Sequence, residues 1–420
     1  MSWSAGKEPA SNFQSYFDTQ QGPSIALAEN VRTNGSFFAC PWKASGGSAL
    51  AVFRIAPDAL GRCPPTQPCV RGHKFPASSF DFSPFQATQL ASGCVDGTIF
   101  LWRIPERGLV KDLNDPESTL SSQGKVTLVR FHPYVADVLL SATGGFEGQF
   151  IEIWDVSKPG NQSTPAFSIK VSEEDPIVDF CVHPRSHLLA TSSRDGKVRV
   201  WSFGSRKMLQ EWAVPEGVKD TRVVWVGEQR LLSVGFGSQG SRSMSLFDTS
   251  STPPKLLQTF ELERINYLPL PRFDFDTKLL FLANSGGTFI PLFQLSETAP
   301  YIEQLNVFQT ASDCTGFTLL PKLSVDVHKV EITRALKLTK DAILPISYTV
   351  PRKRTEFFQD DLFPDTRQAG PELSAAEFVA GKYDQERGKE WTLVSMRPQG
   401  MEKLSEAPEG SLASAHTHER

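Results

Sequence analysis

Three side chains in the first quarter of this 420-residue chain are of the types used in acyl transfer: His73, Ser92 and Asp96. A serine oxygen activated by an imidazole, itself oriented by a carboxylate, must lie within hydrogen-bond reach and open onto a substrate pocket. Here the three are followed by Trp102, and all four sit at fixed places around short strand-like runs. That spacing makes them struts between neighbouring strands. A turn carboxylate buried there needs donors, which the imidazole and hydroxyl supply. Gly235-Phe-Gly237-Ser-Gln-Gly240 has the form of a dinucleotide fingerprint, which requires a helix next so that its N-terminus meets the pyrophosphate. The residues that follow, Arg242-Ser-Met-Ser-Leu-Phe-Asp248, read as another strand. Cys63 and Cys69 lack a second ligand pair at zinc spacing and read as two free thiols in a loop. No catalytic residue, metal or cofactor is expected.

Two groups of cations could instead recognise an acidic partner. Arg352-Lys353-Arg354 follows Pro351 and precedes an acidic, aromatic stretch. It could meet an acidic protein surface or phosphoinositide headgroups, or pair with Glu356, Asp360 and Asp361 and pin the chain down. In the second group, Arg194, Lys197 and Arg199 surround a turn, with Lys219 and Arg222 further on. Lys197 and Arg199 are two residues apart on a strand and so share one face. They form either a rim patch or an ordinary solvated strand face.

The elements that carry these side chains repeat. Trp102, Trp154, Trp201, Phe247 and Phe293 follow one another at steps of 46 to 52 residues, and Phe53 begins the series. That period is the length of one four-stranded blade. Within it lie β-branched and aromatic runs separated by Asp96-Gly97, Asp195-Gly196 or the enlarged turn Thr143-Gly-Gly-Phe-Glu-Gly148. The first full repeat carries Arg71-Gly72-His73 and the set His73, Ser92, Asp96 and Trp102, which resembles the WD40 hydrogen-bonded tetrad. The third keeps Thr191, Asp195 and Trp201 but has Asp175-Pro176 where a histidine would sit. His132-Pro133 and His183-Pro184 occupy equivalent structural positions at strand ends. Three runs after Phe293, at Gly316–Pro321, Glu331–Thr339 and Ile343–Val350, need a fourth strand. Ile25–Arg32 is expected to supply it and close the ring, removing exposed sheet edges. The expected fold is all-β: a seven-bladed WD40 β-propeller with a C-terminal extension packed on it. The expected divisions are a flexible segment at 1–23, the propeller at 24–350, the extension at 351–396 and a disordered tail at 397–420.

Composition agrees with one large globular ring. The chain is 40% hydrophobic and 21% charged, with 43 basic and 47 acidic residues, so no global basic field argues for nucleic acid. The six cysteines, at 40, 63, 69, 94, 181 and 314, show no pairing pattern, which suits a reducing compartment. No secretory leader and no run of about 20 apolar residues is evident, so a cytoplasmic protein is expected and the sequons at Asn34 and Asn161 are read as unused.

The stretch after the last repeat narrows the family. Val350-Pro-Arg-Lys-Arg-Thr-Glu-Phe-Phe-Gln-Asp-Asp-Leu-Phe-Pro-Asp-Thr366 resembles the C-terminal extension of coronins. Trp102-Arg-Ile-Pro-Glu-Arg-Gly-Leu109 looks like the first-blade exit of coronins, Pro300-Tyr301 and Leu319-Leu-Pro321 resemble their last blade, and Leu373-Ser-Ala-Ala-Glu-Phe-Val-Ala-Gly381 is similar to the short segment that follows the extension. Glu356–Asp361 and Thr221–Val226 are most similar to the second propeller of the long tandem coronins. The resemblance implies a non-catalytic, cytoskeletal protein that binds actin filaments and other cytoskeletal or trafficking proteins. It also implies peripheral association with Golgi or endosomal membranes. The family's oligomerising heptads, its acidic Trp-ending tail and the arginine-bearing N-terminal strand of short coronins have no counterpart here; Ser11–Asp18 stands where that strand would be. The chain could be one piece or isoform of a longer protein, a question the sequence leaves open. An adaptor in vesicle traffic or ubiquitin-ligase assembly, without actin binding of its own, is the alternative. Phe357, Phe358, Leu362 and Phe363 are expected to anchor the extension under the ring.

Overall fold

The computed structural model describes residues 15–407 except 21, 23–28, 44–48, 56–61, 65, 185–186, 215–219, 237–241, 263–267 and 383–391. Seven four-stranded antiparallel sheets are arranged around an axis. Their first strands are Arg32–Thr33, Ala77–Phe82, Lys125–Phe131, Ile177–Val182, Thr221–Trp225, Leu270–Asp274 and Gly316–Leu319, taken here as blades 1 to 7. Every periodic aromatic of the sequence lies on the third strand of its blade, and each is at most 7% exposed. The period therefore marks a packing position: a large ring at one place in six of the seven sheets fills the wedge between adjacent blades. Gly97 and Gly196 take φ values of 89° and 75° in the Asp-Gly turns. A side chain at Gly97 would also meet the carbonyl of Ser122 at 3.0 Å, so the turn needs glycine for space as well as for angle.

The ring closes as expected but with a different strand. Tyr16–Phe17 is the outer strand of blade 7, with Tyr16 opposite Ile343 and Phe17 opposite Ala342. Thr19 N–H adds a bond of 3.0 Å to the Asp341 carbonyl. Of the run expected to close the ring, residues 25–28 lie outside the described residues, and Arg32–Thr33 is the inner strand of blade 1, paired with Phe38 and Ala39. The physical reason is distance from the axis. A closing strand must reach the rim, whereas the residues just before the first hairpin run beside the axis. Tyr16 has the character for an outer strand against a core: it packs on Phe38 and Phe53 at 5.0 and 5.3 Å, and its hydroxyl bonds the Arg54 carbonyl at 2.8 Å.

After Val350 the chain runs across one face of the disc. Phe358, Leu362 and Phe363 join the apolar cluster of blades 6 and 7 that contains Phe281, Phe317, Ile346 and Tyr348. Leu373 then bridges Val135 of blade 3, and the short helix Ala375–Val379 seats Phe378 against Phe167, Phe203 and His132. A capping box starts that helix: Ser374 accepts from Glu377 N–H while the Glu377 carboxylate accepts from Ser374 N–H. The extension is thus a strap anchored at both ends on opposite sides of the ring. Residues 397–407, expected as part of a disordered tail, lie against it. Phe358 N–H donates to Glu402 at 2.7 Å, Leu404 N–H donates to Phe358 at 2.8 Å, and Ser405 Oγ meets Asp360 at 2.5 Å. Residues 1–14 and 408–420 lie outside the described residues.

Candidate partner-binding surface

The tetrad residues come together in blade 2 with one change of roles. Ser92 Oγ accepts from Trp102 Nε1 at 2.8 Å and lies 2.7 Å from His73 Nε2. Asp96 is exposed rather than buried, and reaches the histidine through Thr98. The Thr98 hydroxyl is 2.6 Å from Asp96 Oδ1 and 3.3 Å from His73 Nδ1. Burial pulls the imidazole down to about 4, against the opposing pull of Asp96. Ser92 is fully buried and its oxygen is engaged by two ring nitrogens, so a substrate has no approach to it. His73, Cys94 and Asp96 bring ligand atoms within 4.8 Å of one another. However, both imidazole nitrogens are engaged, and burial pushes the Cys94 thiol up, away from the thiolate a metal needs.

Blades 3 and 4 vary the same strut. Trp154 Nε1 donates to Ser141 Oγ at 3.0 Å and Trp201 Nε1 to Thr191 Oγ1 at 2.9 Å. Where blade 2 has Phe100 stacked on His73 at 4.3 Å, blade 3 has Glu152, held by Ser141 and Ser122 at 3.1 Å each. In blade 4 the equivalent residue is Arg199. His132 Nδ1 accepts from Tyr134 and Val135 N–H at 3.1 and 3.0 Å, and His183 Nε2 lies 2.7 Å from the Glu228 carbonyl. The Gly235 motif sits in a hairpin: Phe236 pairs with Arg242 in antiparallel strands, and residues 237–241 lie outside the described residues.

The cations nominated on blade 4 and beyond do not form one rim patch. Arg199 is 6% exposed and is held by Asp195, by Glu211 at 2.7 Å and by Ser193 at 3.4 Å. Lys197 shares Glu211 at 2.7 Å, which confirms that the two side chains lie on one face but leaves them neutralised. Arg194 is well exposed and meets Asp220 at 3.3 Å. Arg222 is 1% exposed on the first strand of blade 5. There it faces Glu29 at 3.4 Å. Lys219 lies outside the described residues.

In the extension, Arg352 pairs with Asp361 at 2.5 Å, while Arg354 stands 3.7 Å from Glu356 and 4.3 Å over the Phe357 ring. Lys353 between them is exposed. Phe357 is half-buried under that guanidinium and is not in the core cluster, so three of the four expected anchors pack under the ring.

Sequence reasoning missed the ion cluster on the axis. Glu29, 2% exposed, is surrounded by Arg32, Arg130, Arg222 and Arg272 from the first strands of blades 1, 3, 5 and 6. Burial works against its charge, but the four guanidiniums outweigh this and hold its carboxyl well below the usual range. The available signal was an arginine recurring on inner strands, a position that ordinarily holds apolar or small side chains.

This geometry defines a class: a closed seven-bladed WD40 propeller carrying an extension strapped across one face. The WD domain, G-beta repeat matches residues 65–103 and 164–202, and a second type of WD40 repeat matches 343–385. The chain is 30% identical to Coronin-2A of Bos taurus over 406 residues, covering 96% of this chain and 74% of that one. It is 34% identical to Coronin-7 of Bos taurus over 374 residues, which is 88% of this chain but 39% of the relative. The WD40 domain of Toxoplasma gondii coronin superposes with a TM-score of 0.81 at 25% identity, covering 94% of this chain and all of that domain. The chain belongs to the coronin family. It spans about two fifths of the Coronin-7 proteins it matches. No helix among the described residues is long and apolar enough to cross a membrane.

Proposed function

We propose that this chain is a non-catalytic, actin-filament-binding propeller that helps organise the cytoskeleton and link it to membrane traffic at Golgi or endosomal surfaces. Family membership across nearly the whole chain carries the reading. The rigid disc would hold exposed cations, Lys353 first among them, in register with an acidic partner. Contacts of that kind are screened by salt. Filament cosedimentation should therefore fall steeply between low and physiological ionic strength. Replacing Arg352, Lys353 and Arg354 together by Gln should weaken it several-fold at low salt, most of the loss coming from Lys353. A chain that stays in the supernatant at low ionic strength lacks autonomous actin binding.

One observation favours the second reading, an adaptor whose ring binds peptide segments. Of the eight nominated cations, Arg199 and Arg222 are buried, and Arg194, Lys197, Arg352 and Arg354 already face carboxylates of the same chain. Recovery of vesicle-coat or ligase components, rather than actin, on the immobilised propeller would select it.

A further inference from the structure

The axial channel holds more cationic capacity than its own carboxylates use. Glu29 Oε1 alone faces Arg130 at 3.1 Å, Arg272 at 3.3 Å and Arg222 at 3.4 Å, while Oε2 faces Arg32. Charge-assisted bonds of this type usually close to about 2.7–2.9 Å, so one carboxylate oxygen shared three ways serves each guanidinium poorly. Two other acids face the channel. Asp179 is engaged with Arg130 at 2.7 Å and with Val223 N–H at 3.2 Å. Asp81 accepts from Phe131 N–H at 3.0 Å, and burial pushes its carboxyl up. Arg222 also feels Asp179, and Arg32 also feels Asp81, so among the described residues four guanidiniums draw on three carboxylates. Burial pulls Arg272 down to about 10 against the opposing pull of Glu29, its cationic neighbours adding to the fall. The Nε of Arg32, Arg130 and Arg272 has no hydrogen-bond partner among the described residues.

These groups line a cavity of about 280 Å³. The side chains of Arg32, Arg130 and Arg272 keep 14–17% of their surface exposed. We propose that the axial channel is a binding site for a small phosphate-class anion, gripped chiefly by Arg32, Arg130 and Arg272, with Glu29 as the internal carboxylate that competes for the same guanidiniums. A tetrahedral phosphate offers three or more oxygens to planar guanidinium forks where Glu29 offers two. The ligand is a free anion and not a headgroup still attached to a bilayer, because cations at the axis with so little exposure are out of reach of a membrane surface. The site is independent of filament binding.

Inorganic pyrophosphate titrated by calorimetry and by thermal shift, against sodium chloride of matched ionic strength, tests this. The wild type should bind and gain thermal stability at millimolar pyrophosphate or below. Glu29→Gln, which removes the competing carboxylate, should bind at least about tenfold more tightly, an effect of about 1.4 kcal/mol. Arg272→Gln should bind about tenfold more weakly. A structural role alone would lower the stability of both variants without moving their affinities in opposite directions. Equal affinities in the three proteins, or no heat and no shift beyond the salt control, overturns the proposal. If Glu29→Gln fails to fold in plain buffer, the wild-type titration and the more accessible Arg32→Gln variant decide the matter by the same criteria.

Discussion

Ser92 holds two ring nitrogens with one oxygen, which makes it the most economical place to test the blade strut. Ser92→Ala would leave the Trp102 indole N–H unsatisfied inside the blade and His73 Nε2 with only the Ser92 carbonyl at 3.2 Å. The expected loss is about 1–3 kcal/mol, read from urea unfolding. Thr98→Val should cost less, because it breaks only the link to an exposed Asp96. The same histidine predicts a pH effect. His73 and His132 are held by burial at about 4 and about 3, below the roughly 6.5 of an unfolded histidine. The unfolded chain therefore takes up protons first as pH falls. Stability should be flat above about pH 6.5 and decline from there towards pH 4, by up to about 1.4 kcal/mol per unit for each histidine. Urea midpoints across that range should show the decline, and His73→Asn should make it shallower.

The strap and the closing strand make separate predictions. Phe358 and Phe363 stack at 5.7 Å within the core of blades 6 and 7, so Phe358→Ala should cost about 3–5 kcal/mol. Phe357 lies outside that cluster, under a guanidinium, and Phe357→Ala should cost about 1 kcal/mol or less, the range of exposed cation–aromatic contacts. Equal effects from the two substitutions would refute the assignment of anchors. Removing residues 1–18 would strip Tyr16–Phe17 from blade 7 and leave Ala342–Thr349 as an open edge. An unpaired strand recruits other chains, so the shortened protein should elute as oligomers in size-exclusion chromatography while the full chain does not.

Taken as a whole, the molecule is a stiff disc with a cationic axis, and most of the nominated partner-binding cations that are described are already buried or paired. That distribution shapes what each surface can do. Rim cations paired with neighbouring acids contribute little net field, so filament affinity at low salt should be modest and concentrated on Lys353. The axial arginines, by contrast, sit in low-dielectric surroundings where salt screens poorly. Anion binding there should persist at ionic strengths that abolish cosedimentation, and running both titrations on one preparation separates the two behaviours.

The number of blades, the strut in blade 2 and the attachment of the extension were legible in the chain because their signals are local. A ring aromatic recurs at a fixed step, an Asp-Gly turn demands positive φ, and an apolar segment follows the last strand. Which cations are free, which strand closes the ring and what lies on the axis were decided by tertiary structure. Arg222 and Arg199 look like surface charges in sequence because nothing local reveals that one faces the axis and the other is buried beside Asp195 and Glu211. Glu29 meets an arginine 243 positions away, and Tyr16 pairs with a strand at the opposite end of the propeller. Periodicity records what each blade needs for itself. Charge pairing across the axis and closure of the circle depend on where seven blades place their inner and outer strands, and that exists only once the ring has formed.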